Sequence, residues 1–393
     1  MPPGPVTERT RRVADPVAAF LRAEAGGGVA LLVAAMVALV WANSAAADGY
    51  NALWSTQLRV GAAGLAITQD LRHWVNDCLM VVFFFVISLE IKRELVTGDL
   101  RRPRAAALPV LAALGGVVVP VVIFLALAGG GEAARGWGVP MATDVAFAIA
   151  ALAVLGSRVD TGLKLFLVTI AVVDDIVAIA VIAIAYTPEI SVGWLGLAGA
   201  GLVLVGVMRI AGVAWPLAYL PVGAFVWVAM LESGVHATIA GVALALMTPA
   251  RPVRGRAVLE DLESRLHPVS SFVVLPLFAL ANAGVVLGGG TLDEPAAAGV
   301  AVAVAVALVA GKFIGISGAT FLALKARVGT LPQGVSASGV FGVAALGGIG
   351  FTVSLFITPL AYGASALADS AKIGILAGSL AGAGLGMALL ARR

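Results

Sequence analysis

Apolar residues run along this 393-residue chain in long stretches, not in the short alternating patches of a water-soluble protein. A membrane-spanning helix needs about 20 mostly apolar residues. Twelve runs approach or exceed that length: roughly 27–46, 75–96, 105–127, 139–156, 163–186, 192–209, 215–231, 234–249, 269–288, 297–324, 335–362 and 371–391. The polar connections are short, and only Glu232–Gly234 parts the seventh run from the eighth. The pattern predicts an all-α integral membrane fold, with a polar tail over 1–24 and a single twelve-helix domain over 25–393. The first run is long enough to stay as an anchor, although Ala45–Ala47 has the small residues of a leader cleavage site. One outer connection is long, 47–74. There Trp54–Val60 and Leu65–Thr68 flank Gly61-Ala-Ala-Gly64, which predicts a β-hairpin. An isolated hairpin is marginal in water, so a second subunit could complete it.

Composition excludes most other classes. Hydrophobic residues make up 61% and charged residues 12%, where a soluble domain carries about 25% charge. Mean hydropathy is +1.04. Such a chain cannot coat a water-facing surface as a soluble enzyme or a disordered regulator must. The lone Cys78 permits no internal disulfide and no cysteine metal cluster. His73, His236 and His267 are far apart in sequence, which argues against a site built of histidines. No cofactor is expected. The net charge of +3 is better matched to anionic lipid than to nucleic acid, because so little of the chain is wet.

The basic residues also orient the chain. If the N-terminus is cytoplasmic and the runs alternate, 20 of the 25 Lys and Arg fall on the cytoplasmic side. Arg59, Arg72, Arg135 and Lys372 fall outside, and Lys312 lies within a run. This positive-inside bias predicts cytoplasmic locations for both ends.

Four charges sit where lipid should exclude them: Asp144, Asp174, Asp175 and Lys312. At about 1.5 Å of helical rise per residue, Asp174 is roughly 15 Å beyond Lys164 and Lys312 roughly 20 Å before Lys325. Both depths are near the middle of a hydrocarbon core ~30 Å thick. Each unpaired charge there costs about 2.5–3.5 kcal/mol, so these residues must pair or line water. Neighbours on a regular helix point about 100° apart. One of Asp174 and Asp175 can therefore face a wet cavity while the other faces a neighbouring helix, with Lys312 a natural partner. Gly347-Gly348-Ile-Gly350 predicts a break inside the eleventh run, since each Gly costs about 0.8–1 kcal/mol in a helix interior. Pro140 with Thr143-Asp144 makes the fourth run a second candidate. Gly311-x-x-x-Gly315 suits close helix packing.

These residues resemble the NhaA family of sodium/proton antiporters. The likeness rests on an ordered set: Trp74-Val-Asn76-Asp77, Leu89-Glu90-Ile-Lys92-Arg93-Glu94-Leu95, Ala142-Thr143-Asp144-Val-Ala-Phe147-Ala148, Leu155-Gly-Ser-Arg158, Asp174-Asp175, Gly234-Val-His236-Ala-Thr238, Ala281-Asn282-Ala-Gly284, Gly311-Lys312 and Gly348-Ile-Gly350-Phe351-Thr352. The resemblance implies twelve helices in inverted repeats, the fourth and eleventh unwound and crossing near the midplane. It implies expulsion of Na+, and of Li+ as well, in exchange for external protons, serving sodium and pH homeostasis in a bacterial inner membrane. Asp175 would bind sodium and protons, Asp174 would pair with Lys312, and Asp144, with Thr143 nearby, would compensate the positive helix ends. Glu90, Arg93, Glu94, Glu263 and His267 would carry a pH response, with His236 a further candidate. The 47–74 hairpin would join a homodimer. This chain has Gly347, Phe313 and Ser264 where relatives can have Cys, Pro and His.

Physics supplies a mechanism beside the likeness. Sodium is a hard ion, and carboxylates, a hydroxyl and unwound carbonyls offer it oxygen. Burial and like charges raise the proton affinity of carboxylates, so sodium and protons can contest one site. Three aspartates and one lysine sum to −2, which predicts electrogenic exchange with more than one proton per sodium. Two other readings compete with this one. A sodium/organic-anion symporter should carry groups for an organic substrate. An intramembrane aspartyl protease needs two aspartates sharing a proton, which Lys312 would disrupt.

Overall fold

The computed structural model describes residues 6–61, 66–187, 190–213, 215–253, 255–288, 290–331 and 335–392. The hairpin turn 62–65, Arg254 and Arg393 lie outside the described residues, as do the side chains of Arg9, Arg11, Arg12 and Arg22. Among the described residues, eight helices are long and apolar enough to cross a membrane: Glu24–Ala42, Leu71–Val96, Pro103–Ala128, Thr161–Ala185, Val192–Ile210, Val258–Asn282, Pro295–Lys325 and Ala366–Ala391. Two further spans are broken. Ala133–Met141 and Val145–Leu155 meet at 46°, and Ala337–Leu346 and Phe351–Tyr362 at 43°. Each broken pair counted as one span gives ten. The seventh and eighth apolar runs appear as the shorter helices Pro216–Glu232 and Thr238–Met247.

Several boundaries differ from the sequence expectation, each for a local reason. The first helix is continuous from Val6 to Ala42, so the supposed tail is helical and the span ends before Ala46. The outer connection is not a plain run into a hairpin, because Ala47–Trp54 is helical. Tyr50 and Trp54, four residues apart on one helical face, are both buried. The Tyr50 hydroxyl reaches the Leu280 and Ala281 carbonyls at 2.8 and 3.1 Å. This anchoring holds Trp54 in the helix. The strands are therefore shorter and later than expected, Gln57–Val60 paired antiparallel with Ile67–Asp70, Gln57 opposite Asp70. The second span begins at Leu71, where the Asp70 side chain accepts the His73 amide as an N-cap.

The ninth span starts eleven residues earlier than its apolar run, at Val258. Its first turns carry Glu260, Asp261, Glu263, Arg265 and His267, too polar to register as a span. A π turn over Ser270–Val274 joins them to Leu275–Asn282. The helix stops at Asn282, whose amide donates to Asn76 at 2.8 Å. Gly284 follows, and a Cβ there would sit 2.3 Å from the Tyr50 ring.

Small residues bring the site-bearing helices together. Pro103–Ala128 packs on Lys312–Lys325 through Gly115 and Gly315. A Cβ at Gly115 would lie 2.3 Å from the Gly315 carbonyl oxygen, and one at Gly315 would lie 2.1 Å from that of Gly115. Gly311 likewise meets Pro120. A π turn over Ala307–Gly311 immediately precedes Lys312. Gly115→Val is therefore expected to push the helix carrying Lys312 outward. The cost should be about 1–3 kcal/mol or more, read as a lowered thermal unfolding midpoint in detergent, with reduced transport.

Candidate functional site

The two broken helices leave their gaps side by side. In the first, helical bonding stops at Met141 and resumes at Val145, which frees Ala142, Thr143 and Asp144. Pro140 lies within the preceding 3-10 turn, one residue before its end. In the second, Leu346 ends one half and Phe351 opens the other, leaving Gly347–Gly350 irregular. The gaps are stitched across: the Asp144 amide donates to the Ile349 carbonyl at 2.6 Å, and Ser354 donates to the Val139 carbonyl at 2.6 Å. Added side chains would not fit, since a Cβ at Gly348 would meet the Leu308 carbonyl at 2.7 Å and one at Gly350 the Ser354 hydroxyl at 2.4 Å.

Asp144 serves both resumed half-helices. Its Oδ1 accepts the Phe147 amide at 3.0 Å, and its Oδ2 accepts the Thr352 amide at 3.0 Å. Two helix N-termini, each with partial positive charge and free amides, thus share one buried carboxylate. Thr352 is a participant that sequence reasoning quoted in a motif without giving it a role. Its contribution is a backbone amide, which no side-chain chemistry announces.

Asp174 and Asp175 lie in mid-helix on Thr161–Ala185 and diverge as helical geometry requires. Asp174 is fully buried and turned to the neighbouring helices. Its Oδ2 accepts from Lys312 Nζ at 2.6 Å and lies 2.7 Å from Thr143 Oγ1. Thr143 Oγ1 is also 2.9 Å from the Gly347 carbonyl, and its one proton can serve only one of these acceptors at a time. Asp174 Oδ1 is buried without a protein hydrogen-bond partner, an acceptor left open in a setting where such groups are nearly always satisfied. Lys312 is fully buried as well.

Asp175 takes no part in that pairing. It lines a cleft together with Thr143, Asp144, Thr352, Glu90, Glu24 and His267. The cleft offers about 60 Å³ of room for water, enough for a few molecules. One wall of the site is thus a buried ion pair and the other a carboxylate, itself only 6% exposed, that lines the cleft.

The remaining charged candidates divide into two places. Arg93 pairs with Glu263 and lies 3.8 Å from Glu94, and His267 lies 3.7 Å from Glu90. His267 also bonds Glu24 directly. Glu24 was missed by the sequence reading, which left it in the tail. It stands at the edge of an apolar run and looks like an interfacial charge, so no local signal marks it. His236 is elsewhere. Its Nε2 lies 2.8 Å from the Tyr186 carbonyl, and Tyr186 in turn accepts from the Gly138 amide and donates to the Arg135 carbonyl. Between its flanking helices, burial pushes the His236 imidazole below its usual range, with the Tyr186 carbonyl working against it.

Comparison with known proteins follows the same lines. The sequence profile of the family described as Na+/H+ antiporter 1 matches residues 18–390. The Na(+)/H(+) antiporter NhaA of Acidovorax sp. (strain JS42) is 47% identical, covering 93% of this chain and 89% of its own length. The Na(+)/H(+) antiporter NhaA 1 of Klebsiella pneumoniae (strain ATCC 700721 / MGH 78578) is 45% identical over 95% of each chain. The Na(+)/H(+) antiporter NhaA of Serratia proteamaculans (strain 568) is 44% identical, covering 94% of this chain and 96% of its own length.

Proposed function

This chain belongs to the Na+/H+ antiporter 1 family; it is a multi-pass membrane transporter, not an enzyme, and it exchanges Na+ for H+, and from that premise we propose how its residues perform the exchange. Asp175 carries the ion. From the cleft it binds either a sodium ion or a proton, and the two exclude each other because both need the same carboxylate oxygens. Asp174 and Thr143 complete the oxygen set on the far side, where Asp174 Oδ1 stands open. Lys312 balances the Asp174 charge while the site waits. Asp144 holds the two positive half-helix ends so that they do not repel the incoming cation. The observation that carries this reading is the division of two adjacent acids, one locked to a lysine and one lining the cleft.

The finer features form part of the same proposal. The chain spans a bacterial inner membrane twelve times with both ends cytoplasmic, the two short helices Pro216–Glu232 and Thr238–Met247 counting as spans. The cleft opens to the cytoplasm. Li+ follows Na+, being likewise a hard cation that takes oxygen ligands. The network of Glu90, Arg93, Glu94, Glu263 and His267 sets the pH response at the mouth, with His236 contributing from its separate position. The hairpin Gln57–Val60/Ile67–Asp70 offers its free edge to a second copy.

The charge count sets the test. Three aspartates and one lysine carry −2, so two protons neutralise the site, whereas one sodium leaves it at −1. Sodium jumps applied to reconstituted vesicles on a capacitive sensor are expected to give a transient current of the sign of net proton-charge movement. The current should decline in acid, where protons keep sodium off the carboxylates. A transporter that moves sodium with no current at any potential overturns the stoichiometry.

A further inference from the structure

Three side chains that the exchange scheme does not use as ion carriers converge at the wall of the cleft. Glu24 comes from the first helix, Glu90 from the second and His267 from the ninth. One ligand atom from each lies within 4.8 Å of the other two. The imidazole Nε2 is the shared point, bonded to Glu24 Oε1 and 3.7 Å from Glu90 Oε1. No sequence proximity explains the meeting, since 66 residues separate Glu24 from Glu90 and 177 separate Glu90 from His267. All three line the same cleft as Asp175.

We propose that Glu24, Glu90 and His267 form a binding site for a divalent transition metal of the Zn2+ class, and that a metal held there plugs the cleft and stops transport. One imidazole nitrogen and two carboxylate oxygens, with water in a fourth position, make a ligand set that zinc takes in open sites. Metal–ligand bonds of about 2.0–2.2 Å put tetrahedral ligand atoms roughly 3.3–3.5 Å apart. His267 Nε2 and Glu90 Oε1 already lie near that spacing at 3.7 Å, and side-chain rotations that part Glu24 from the imidazole bring the third atom to it. The metal takes the place of the hydrogen bond between Nε2 and Glu24. Two carboxylates, deprotonated on coordination, bring −2 into a largely buried setting, which a dication neutralises and Na+ does not. Mg2+ and Ca2+ prefer all-oxygen shells of six or more ligands, so the imidazole selects against them. The site therefore differs in chemistry from the one that carries sodium. A metal and its water take room in the same cleft that Asp175 lines, and the added positive charge repels an arriving cation, so the path to Asp175 closes.

The test uses the full-length protein purified without a polyhistidine tag. Co2+ serves as the spectroscopic probe. One Co2+ per chain is expected, with the intense visible bands of four-coordinate cobalt, bleached by Zn2+ and unaffected by Mg2+. Glu24→Gln and His267→Gln, each checked for a cooperative thermal transition, should weaken Co2+ binding at least ten-fold. In everted vesicles, micromolar Zn2+ should halve sodium-driven proton movement by the parent protein. Each variant, measured against its own uninhibited rate, should need at least ten-fold more. The site is overturned if the folded parent gives no such spectrum, or if both variants bind Co2+ as the parent does. Binding without inhibition overturns the plug. Because the cobalt measurement involves no transport, its failure is distinct from a failure of the antiport reading.

Discussion

Asp175→Asn is expected to reduce sodium-driven proton movement in everted vesicles to the level of vesicles that lack the protein, at every pH. The substitution keeps the size of the side chain and one coordinating oxygen. It removes the charge and the ability to bind and release a proton. A neutral amide gives sodium a weaker ligand and gives protons none, so both halves of the exchange fail together. The fold should not be the cause. Asp175 faces the cleft and lies outside the Lys312–Asp174–Thr143 network, and losing a desolvated charge there relieves a cost instead of adding one. The thermal unfolding midpoint should therefore match or exceed that of the parent. Sodium-dependent dequenching of a pH dye that survives this substitution would remove Asp175 from the centre of the mechanism. Li+ pulses should be abolished equally, since the same oxygen ligands serve both ions.

The contrast between Asp175 and Glu24 illustrates what a sequence can reveal about such a protein. Acids in the middle of an apolar run violate the rule that the bilayer imposes, and a violation is visible without coordinates. The same holds for Gly347-Gly348-Ile-Gly350, where helix-breaking residues interrupt a run that otherwise spans. Helical geometry even foretold that Asp174 and Asp175 must face different surroundings. It could not say which one meets Lys312, because 138 residues separate Asp174 from its partner and only packing decides. Glu24 violates nothing, being at the end of a run where charges are ordinary. Its place beside His267 depends on how the first and ninth helices lean together. The start of the ninth span escaped for a related reason: Val258–Val269 buries Leu259 and Glu263 but exposes other polar residues, so its average polarity hides it. Trp54 read as a strand residue by its β-propensity, and the tertiary anchoring of Tyr50 overrode that preference.

The Lys312–Asp174 pair yields the second large effect, and it is one of stability. Both side chains are fully buried at 2.6 Å separation. Removing one partner of such a pair costs about 3–5 kcal/mol, because the other charge is left uncompensated in a low-dielectric interior. Lys312→Met preserves the length and apolar stem of the lysine and deletes only the ammonium. It should lower the unfolding free energy of the purified protein by roughly that amount. Thr143 softens the loss, since its hydroxyl can still donate to Asp174. Replacing both charges should behave differently. In Lys312→Met/Asp174→Leu no unpaired charge remains, and apolar replacement of a buried pair is often neutral or stabilising. The double variant is therefore expected to recover most of the lost stability, giving a coupling energy of opposite sign to the single loss. Thermal unfolding of the parent, both single variants and the double variant in one detergent completes the cycle. Additive single effects would mean that the two groups do not interact as a buried pair. The recovered stability should not restore the parent's exchange, because the double variant lacks both the Asp174 oxygens facing Thr143 and the charge that offsets an arriving cation. Stability and transport thus separate in this variant: the fold tolerates an apolar pair at these positions, and the ion chemistry requires the charged one.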